Sequence, residues 1–119
     1  MASTVAHDSH NIIAVGNSDA DIVKAINIVI SSKGGLAFIN NKREIHLPLE
    51  IGGIMTNANA MKVATKYKQL EKTVKLSGCR LEAPFMTLSF MALLVIPALK
   101  ISDKGLFDIT QLKYVHLFE

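Results

Sequence analysis

Tryptophan is absent from this chain of 119 residues, and cysteine occurs once, at Cys79. A single thiol excludes an internal disulfide, and it excludes the Cys-X-X-Cys and zinc-ribbon arrangements that need paired thiolates. It fits a reducing compartment, so the expected location is the cytoplasm. Arginine is scarce as well. Arg43 and Arg80 stand far apart, and the net charge of +3 and pI of about 9.1 come mainly from scattered lysines. With no arginine cluster and no aromatics between the lysines, nucleic acid is not an expected partner. Long apolar runs are lacking too. PFMTLSFMALLVIPAL is broken by Thr87, Ser89 and Pro97 and falls short of the roughly 20 clean residues of a spanning helix. No membrane association is expected. The opening MASTVAHDSHN has no positive segment followed by an apolar one, so no secretory signal is read there.

What is present argues for one folded domain over residues 1–119. Half the residues are hydrophobic and 19% are charged, a balance that disordered chains do not have. Aromatics are 6% and methionines number five, so an aliphatic core is expected. A mean hydropathy of +0.31 in so small a chain predicts spare apolar surface for a partner domain or subunit, and a homo-oligomer is expected.

Asn11 to Gly16, NIIAVG, reads as a short buried strand. Ser18 is a good N-cap with Asp21 in capping-box spacing, and Ile22, Ala25, Ile26, Val29 and Ile30 form one apolar stripe of a helix. Lys33 is expected to complement its C-terminal dipole, and Gly34-Gly35 to stop it. LAFIN and EIHLPL, joined by Asn40-Asn41-Lys42-Arg43, predict an antiparallel hairpin whose second strand lies at an edge or ends at Pro48, which lacks an N–H. Ile51 to Met55 reads as a flexible joint around two glycines. A second helix is predicted from about Ala58 to Leu76, with Val63, Tyr67, Leu70 and Val74 on one face and five lysines around the rest. That lysine face could meet an anionic partner, although such faces are ordinarily just solvated. Residues 79–97 fit a buried strand, a buried helix or one running into the other. LKIS, a Ser-Asp-Lys-Gly turn and GLFD then predict a hairpin, and Val115 to Phe118 a last strand. The fold class is α+β: one or more short, mainly antiparallel sheets with two amphipathic helices.

Three stretches carry a family resemblance: VAHDSHNIIAVG, GGLAFINNKREIHLPLEIGGIMT and PFMTLSFMALLVIPALKISDKGLFD. In this order and spacing the chain, from about Ser3 to Glu119, resembles the carboxy-terminal domain of bacterial adenine deaminase, in the amidohydrolase superfamily. It departs from the family at Leu94, where proline is usual, and in the Asn-Asn-Lys-Arg turn, where glycine is common. The resemblance implies a parent enzyme that hydrolyses adenine to hypoxanthine and ammonia in purine metabolism. It also implies manganese or iron, held in a TIM-type barrel by a His-X-His pair and further His, Glu and Asp ligands. This sequence does not contain that barrel. No cofactor and no catalytic residue are therefore expected here, and the isolated chain is expected to be inactive. The implied partner is the barrel domain, whose site this domain would complete or cover. The alternative is a free-standing small-ligand-binding or regulatory module descended from that domain.

The candidate site residues are His7, Asp8, His10, Asn11, Thr87 and Ser89. His7 and His10 are two residues apart, not in His-X-His spacing, and His46 and His116 are remote in sequence, so a metal site is not expected. Asp8, Ser9 and His10 have the letters of a nucleophilic triad. Neighbours on an extended segment point in alternating directions, however, and cannot form a relay. Two readings stay open: a polar loop facing the barrel mouth, as a lip over the site or as an interdomain contact, or an internally satisfied turn with Asp8 and Asn11 capping backbone groups. Thr87 and Ser89 share a face if their segment is a strand and could then present hydroxyls to a ligand. In a helix, such hydroxyls bond nearby carbonyls instead. Cys79 beside Arg80 reads as inert packing.

Overall fold

A computed structural model describes residues 1–40 and 43–118. The first helix, α1 (Asp19–Ser31), begins where the sequence places it. Ser18 is extended, with φ −142°, and its Oγ accepts from the Asp21 N–H at 3.4 Å. Its end differs from expectation. Lys33 lies beyond the last turn with φ +59°, Lys33 N–H donates to Ile30 and Gly34 N–H to Val29. This paired closure satisfies two terminal carbonyls, with lysine in the left-handed position that glycine usually takes. The helix buries Ala25 and Val29, while Ile30 at the stripe's margin is exposed.

The hairpin is made by β3 (Gly35–Asn40) and β4 (Arg43–Pro48), paired antiparallel from Gly35 opposite Pro48 to Asn40 opposite Arg43. Asn41 and Lys42 of the expected turn lie outside the described residues. Two further strands were not both legible: β1 (Ala2–Ser3) and β2 (Ile13–Ala14), the latter a fraction of the expected Asn11–Gly16. The antiparallel sheet has the order β2-β1-β3-β4, which puts Pro48 on an edge strand as its missing N–H requires.

Both faces of this sheet are covered. Ala37 and Ile39 pack with Ala2 against α1, and the small residues at 2 and 37 let the helix sit close. Leu36, Phe38, Ile45, Leu47 and Leu49 face the other way, against Leu70 and Val74 of α2 (Ala60–Leu76) and Phe85 of α3 (Pro84–Phe90). That second cluster is the larger core, and each of its buried aliphatic side chains contributes about 1.5–3 kcal/mol. Helix α2 starts two residues later than predicted because Asn59 caps it, its Oδ1 accepting from Met61 and Lys62 N–H. Val63 and Tyr67 are half-buried, and Lys62, Lys68, Lys72 and Lys75 are exposed. Helix α3 corrects the expected count: three helices stand among the described residues, not two. Pro84 sits in its first turn, where a missing N–H costs nothing.

Gly34 and Gly35 do more than end α1. A Cβ at Gly35 would lie 2.1 Å from the Leu47 carbonyl oxygen, and one at Gly34 would lie 2.3 Å from the Gly53 Cα. The expected flexible joint at residues 51–55 is instead a hydrogen-bonded turn, closed in both directions between Ile51 and Met55. Thr4 ties the turn to the sheet: its Oγ1 accepts from Gly35 N–H at 2.7 Å and donates to the Gly53 carbonyl.

The rest of the chain forms a separate antiparallel sheet, β5 (Leu99–Ser102), β6 (Gly105–Asp108) and β7 (Lys113–Val115). Strand β7 precedes the predicted Val115–Phe118, because Asp108 accepts from Thr110 and Gln111 and closes a tight turn. On one face Lys100, Phe107 and Tyr114 lie opposite one another, the two rings edge to face at 5.2 Å. Lys100 is buried, with its Nζ on the carbonyls of Pro97 and Leu99 at 3.1 and 3.2 Å. The other face carries Ile101, Leu106 and Val115. Among the described residues no helix is long and apolar enough to cross a membrane.

Candidate functional site

The polar segment between β1 and β2 is a turn anchored at both ends. Ala6 is buried against Ile13 and Leu88, and its carbonyl accepts from His10 N–H at 2.6 Å. His7 N–H donates to the Ser89 carbonyl at 3.3 Å, which fastens the turn to α3. His10 has φ +51°, a left-handed conformation that folds its ring back toward His7. The two rings meet edge to face at 5.6 Å, and His7 lies 5.2 Å from the Phe90 ring. The result is a small aromatic cluster built from the turn and the end of α3.

His10 Nδ1 is buried and has no hydrogen-bond partner. A buried ring nitrogen without a partner costs about 1–3 kcal/mol. Asp8, Ser9 and Asn11 are exposed. No hydrogen bond joins Asp8, Ser9 and His10 into a relay, and neither Asp8 nor Asn11 caps a backbone group among the described residues.

Thr87 and Ser89 belong to a helix, and residues two apart on a helix lie about 200° apart. Thr87 is exposed and its Oγ1 donates to the Ala83 carbonyl at 2.9 Å; Ser89 is buried and its Oγ donates to Met86 at 2.7 Å. Their hydroxyls serve the helix. Ser89 reaches the polar turn through its carbonyl, and Phe90, which the sequence did not single out, reaches it through its ring.

Among the described residues, no group of three or more His, Cys, Asp or Glu side chains is placed to hold a metal. His46 is exposed on β4 and His116 is exposed after β7, and neither forms a metal-holding group with the His7–His10 pair. Two imidazoles edge to face do not make the ligand set that manganese or iron needs. Burial, then the neighbouring Glu71 carboxylate, raises the Tyr67 phenol. The hydrogen bond from Thr110 is the first cause that lowers Asp108.

Beside the turn opens a cleft of about 570 Å³ between the first sheet and the second. Ile13, Leu88 and Ala92 line its inner wall, and Ile101 and Asp103 its outer wall. Ser9 and Asn11 stand on its rim. The polar turn therefore borders an apolar opening.

The comparisons with known proteins agree with one another. The profile of the adenine deaminase C-terminal domain matches residues 1–113. Adenine deaminase from Methanosarcina acetivorans is 50% identical over 118 residues, 99% of this chain and 21% of its own length. That from Borreliella burgdorferi is 50% identical over 116 residues, and that from Sulfurovum sp. 54% identical over 109. The chain spans about a fifth of the length of these relatives. A match across nearly the whole chain, on a fold that holds the shared motifs together, shows that this chain belongs to the adenine deaminase C-terminal domain family.

Proposed function

We propose that this domain works within an adenine deaminase, packed on the catalytic portion and forming a lip over its site, where adenine is hydrolysed to hypoxanthine and ammonia. The family match carries the reading, since relatives named adenine deaminase hold this sequence as about a fifth of their length. The geometry of the polar turn supports it. The exposed Asp8 and Asn11 leave more hydrogen-bonding capacity than the turn itself uses. His7, set between the His10 and Phe90 rings, would hold the lip in shape, and the catalytic portion would bring manganese or iron with its own ligands. Work in the cytoplasm fits the single thiol, and a homo-oligomer fits the exposed apolar surface.

The test is a chimera: the Methanosarcina acetivorans enzyme with its matching segment replaced by this chain. His10→Ala there should lower kcat/KM by on the order of tenfold to a hundredfold, the range that misplaced site groups produce, while the melting temperature stays nearly unchanged. Full activity in a folded His10→Ala chimera would rule out the lip. A second reading, a free-standing module for a small ligand, draws on the cleft, whose volume is in the range of ligand pockets. Calorimetric binding of adenine or hypoxanthine to the isolated chain would favour it.

A further inference from the structure

We infer that the cleft between the two sheets is the seat on which the catalytic portion of an adenine deaminase docks, by inserting an apolar segment between β2, the end of α3 and β5. This rests on the reading that the domain packs on that portion, and it names the surface.

The first observation is area. The chain exposes 7911 Å², whereas a folded monomer of 13.0 kDa exposes about 6,300 Å². The excess of about 1,600 Å² is ample for one side of a standard interface, which takes about 800 Å². The second observation is shape. The radius of gyration is 14.6 Å, against about 13.5 Å for a globule of this length, and the second sheet is what projects. Its tie to the first unit includes a backbone bond from Ile101 N–H to the Met91 carbonyl at 3.0 Å. The third is stability. Three strands of four, four and three residues do not hold together in water unless an apolar face is buried. The face with Ile101 is that face, and Ile101 is 51% exposed.

Part of the exposed apolar surface lies where the second sheet meets the first unit. Ile12, Val15, Met91 and Ile101 are all exposed around the cleft mouth. Among the residues that line the cleft, the one charged side chain is Asp103, at its margin. An apolar insert suits it, and a charged one does not. The relatives supply the occupant: about four fifths of each lies outside the part that matches. An element seated in the cleft also touches Ser9 and Asn11 on the rim, which places the polar turn at the boundary between the two portions.

Hydrogen exchange compares the isolated chain with the chimera described above. Amides of residues 12–15, 91–94 and 99–102 should slow on the order of tenfold or more in the chimera, while the outward face of α1 at Val23 and Ile30 should not change. Ile101→Lys should abolish that slowing yet leave the isolated chain's melting temperature unaltered, and Val23→Lys should change neither. Slowing confined to α1 or α2 would overturn the cleft and leave the packing reading standing. No slowing anywhere would overturn both. Concentration-dependent protection of the cleft in the isolated chain, unchanged in the chimera, would make the occupant a second copy and overturn the proposal. If the chimera does not fold, the same comparison on the intact Methanosarcina acetivorans enzyme and its own isolated domain, at aligned positions, decides between these outcomes.

Discussion

Thr4→Val is the most informative substitution for the fold. Valine matches threonine in shape but replaces Oγ1 with a methyl, which removes the acceptor for Gly35 N–H and the donor to the Gly53 carbonyl. Gly35 is buried at the start of β3, so its N–H has no route to water, whereas Gly53 is half-exposed and can be solvated. One buried, unpaired backbone group costs about 1–3 kcal/mol, and the partly solvated carbonyl adds less. The expected loss is about 2 kcal/mol. Unfolding entropy of ~2.1 cal/mol/K per residue makes each kcal/mol worth about 4 °C in this chain, so the melting temperature should fall by about 8 °C. Thr4→Ser keeps both bonds and loses one methyl, which costs about 0.8 kcal/mol. Urea unfolding followed by circular dichroism measures both, with the slope m as the check on two-state behaviour. If Thr4→Val stays within about 0.5 kcal/mol of the parent, or if Thr4→Ser loses as much, the Thr4 bridge does not hold the turn to the sheet.

Gly34→Ala should fail by a different route, because its Cβ would meet the Gly53 Cα at a φ of +119°; about 2–4 kcal/mol of lost stability is expected from denaturant midpoints. Leu70→Ala empties the centre of the larger core and should cost about 2–5 kcal/mol by the same assay. Asp108 has a lowered pKa in the fold, so its contribution is present above the ordinary value of 3.8 and is lost as pH falls through the folded value. An NMR titration should show it protonating below that ordinary value, and Thr110→Val should move it back up. The purified chain supplied with manganese or iron should release no ammonia from adenine; chelator-sensitive release above blank would place catalytic ligands in this domain.

Where the sequence was legible, a local rule was enough. Ser18 and the i, i+4, i+7 spacing after it mark α1 without tertiary help, and Pro48 marks an edge. Ile30 escaped the stripe because the buried face centres on Ala25 and Val29, and Ile30 lies about 100° around from Val29. Strand β1 is Ala-Ser, two small residues without a period, and only its neighbours on both sides make it a strand. Pro84 was the available signal for α3, hidden in an apolar run that fits helix and strand alike. At the polar turn, the letters gave the polarity but not the fold-back at His10. Nor could they give Phe90, which arrives from a helix some 80 residues along the chain.

Strand β1 sits in the middle of its sheet, paired on one side with β2 and on the other with β3 at Ala2 opposite Ala37. Hairpin β3–β4 joins neighbours in sequence, whereas β1 meets β3 only after a long loop has closed around α1 and its chain entropy has been lost. The expected order of assembly is hairpin and α1 early, with β1 as the late wedge that joins β2 to the rest. Substitutions at Phe38 or Ile45 should then slow refolding, while those at Ala2 should leave refolding nearly unchanged and quicken unfolding. On that expectation Ala2 and Ser3 work as a kinetic latch, and stopped-flow unfolding of an Ala2 variant checks whether the lifetime of the folded domain follows how firmly they are held.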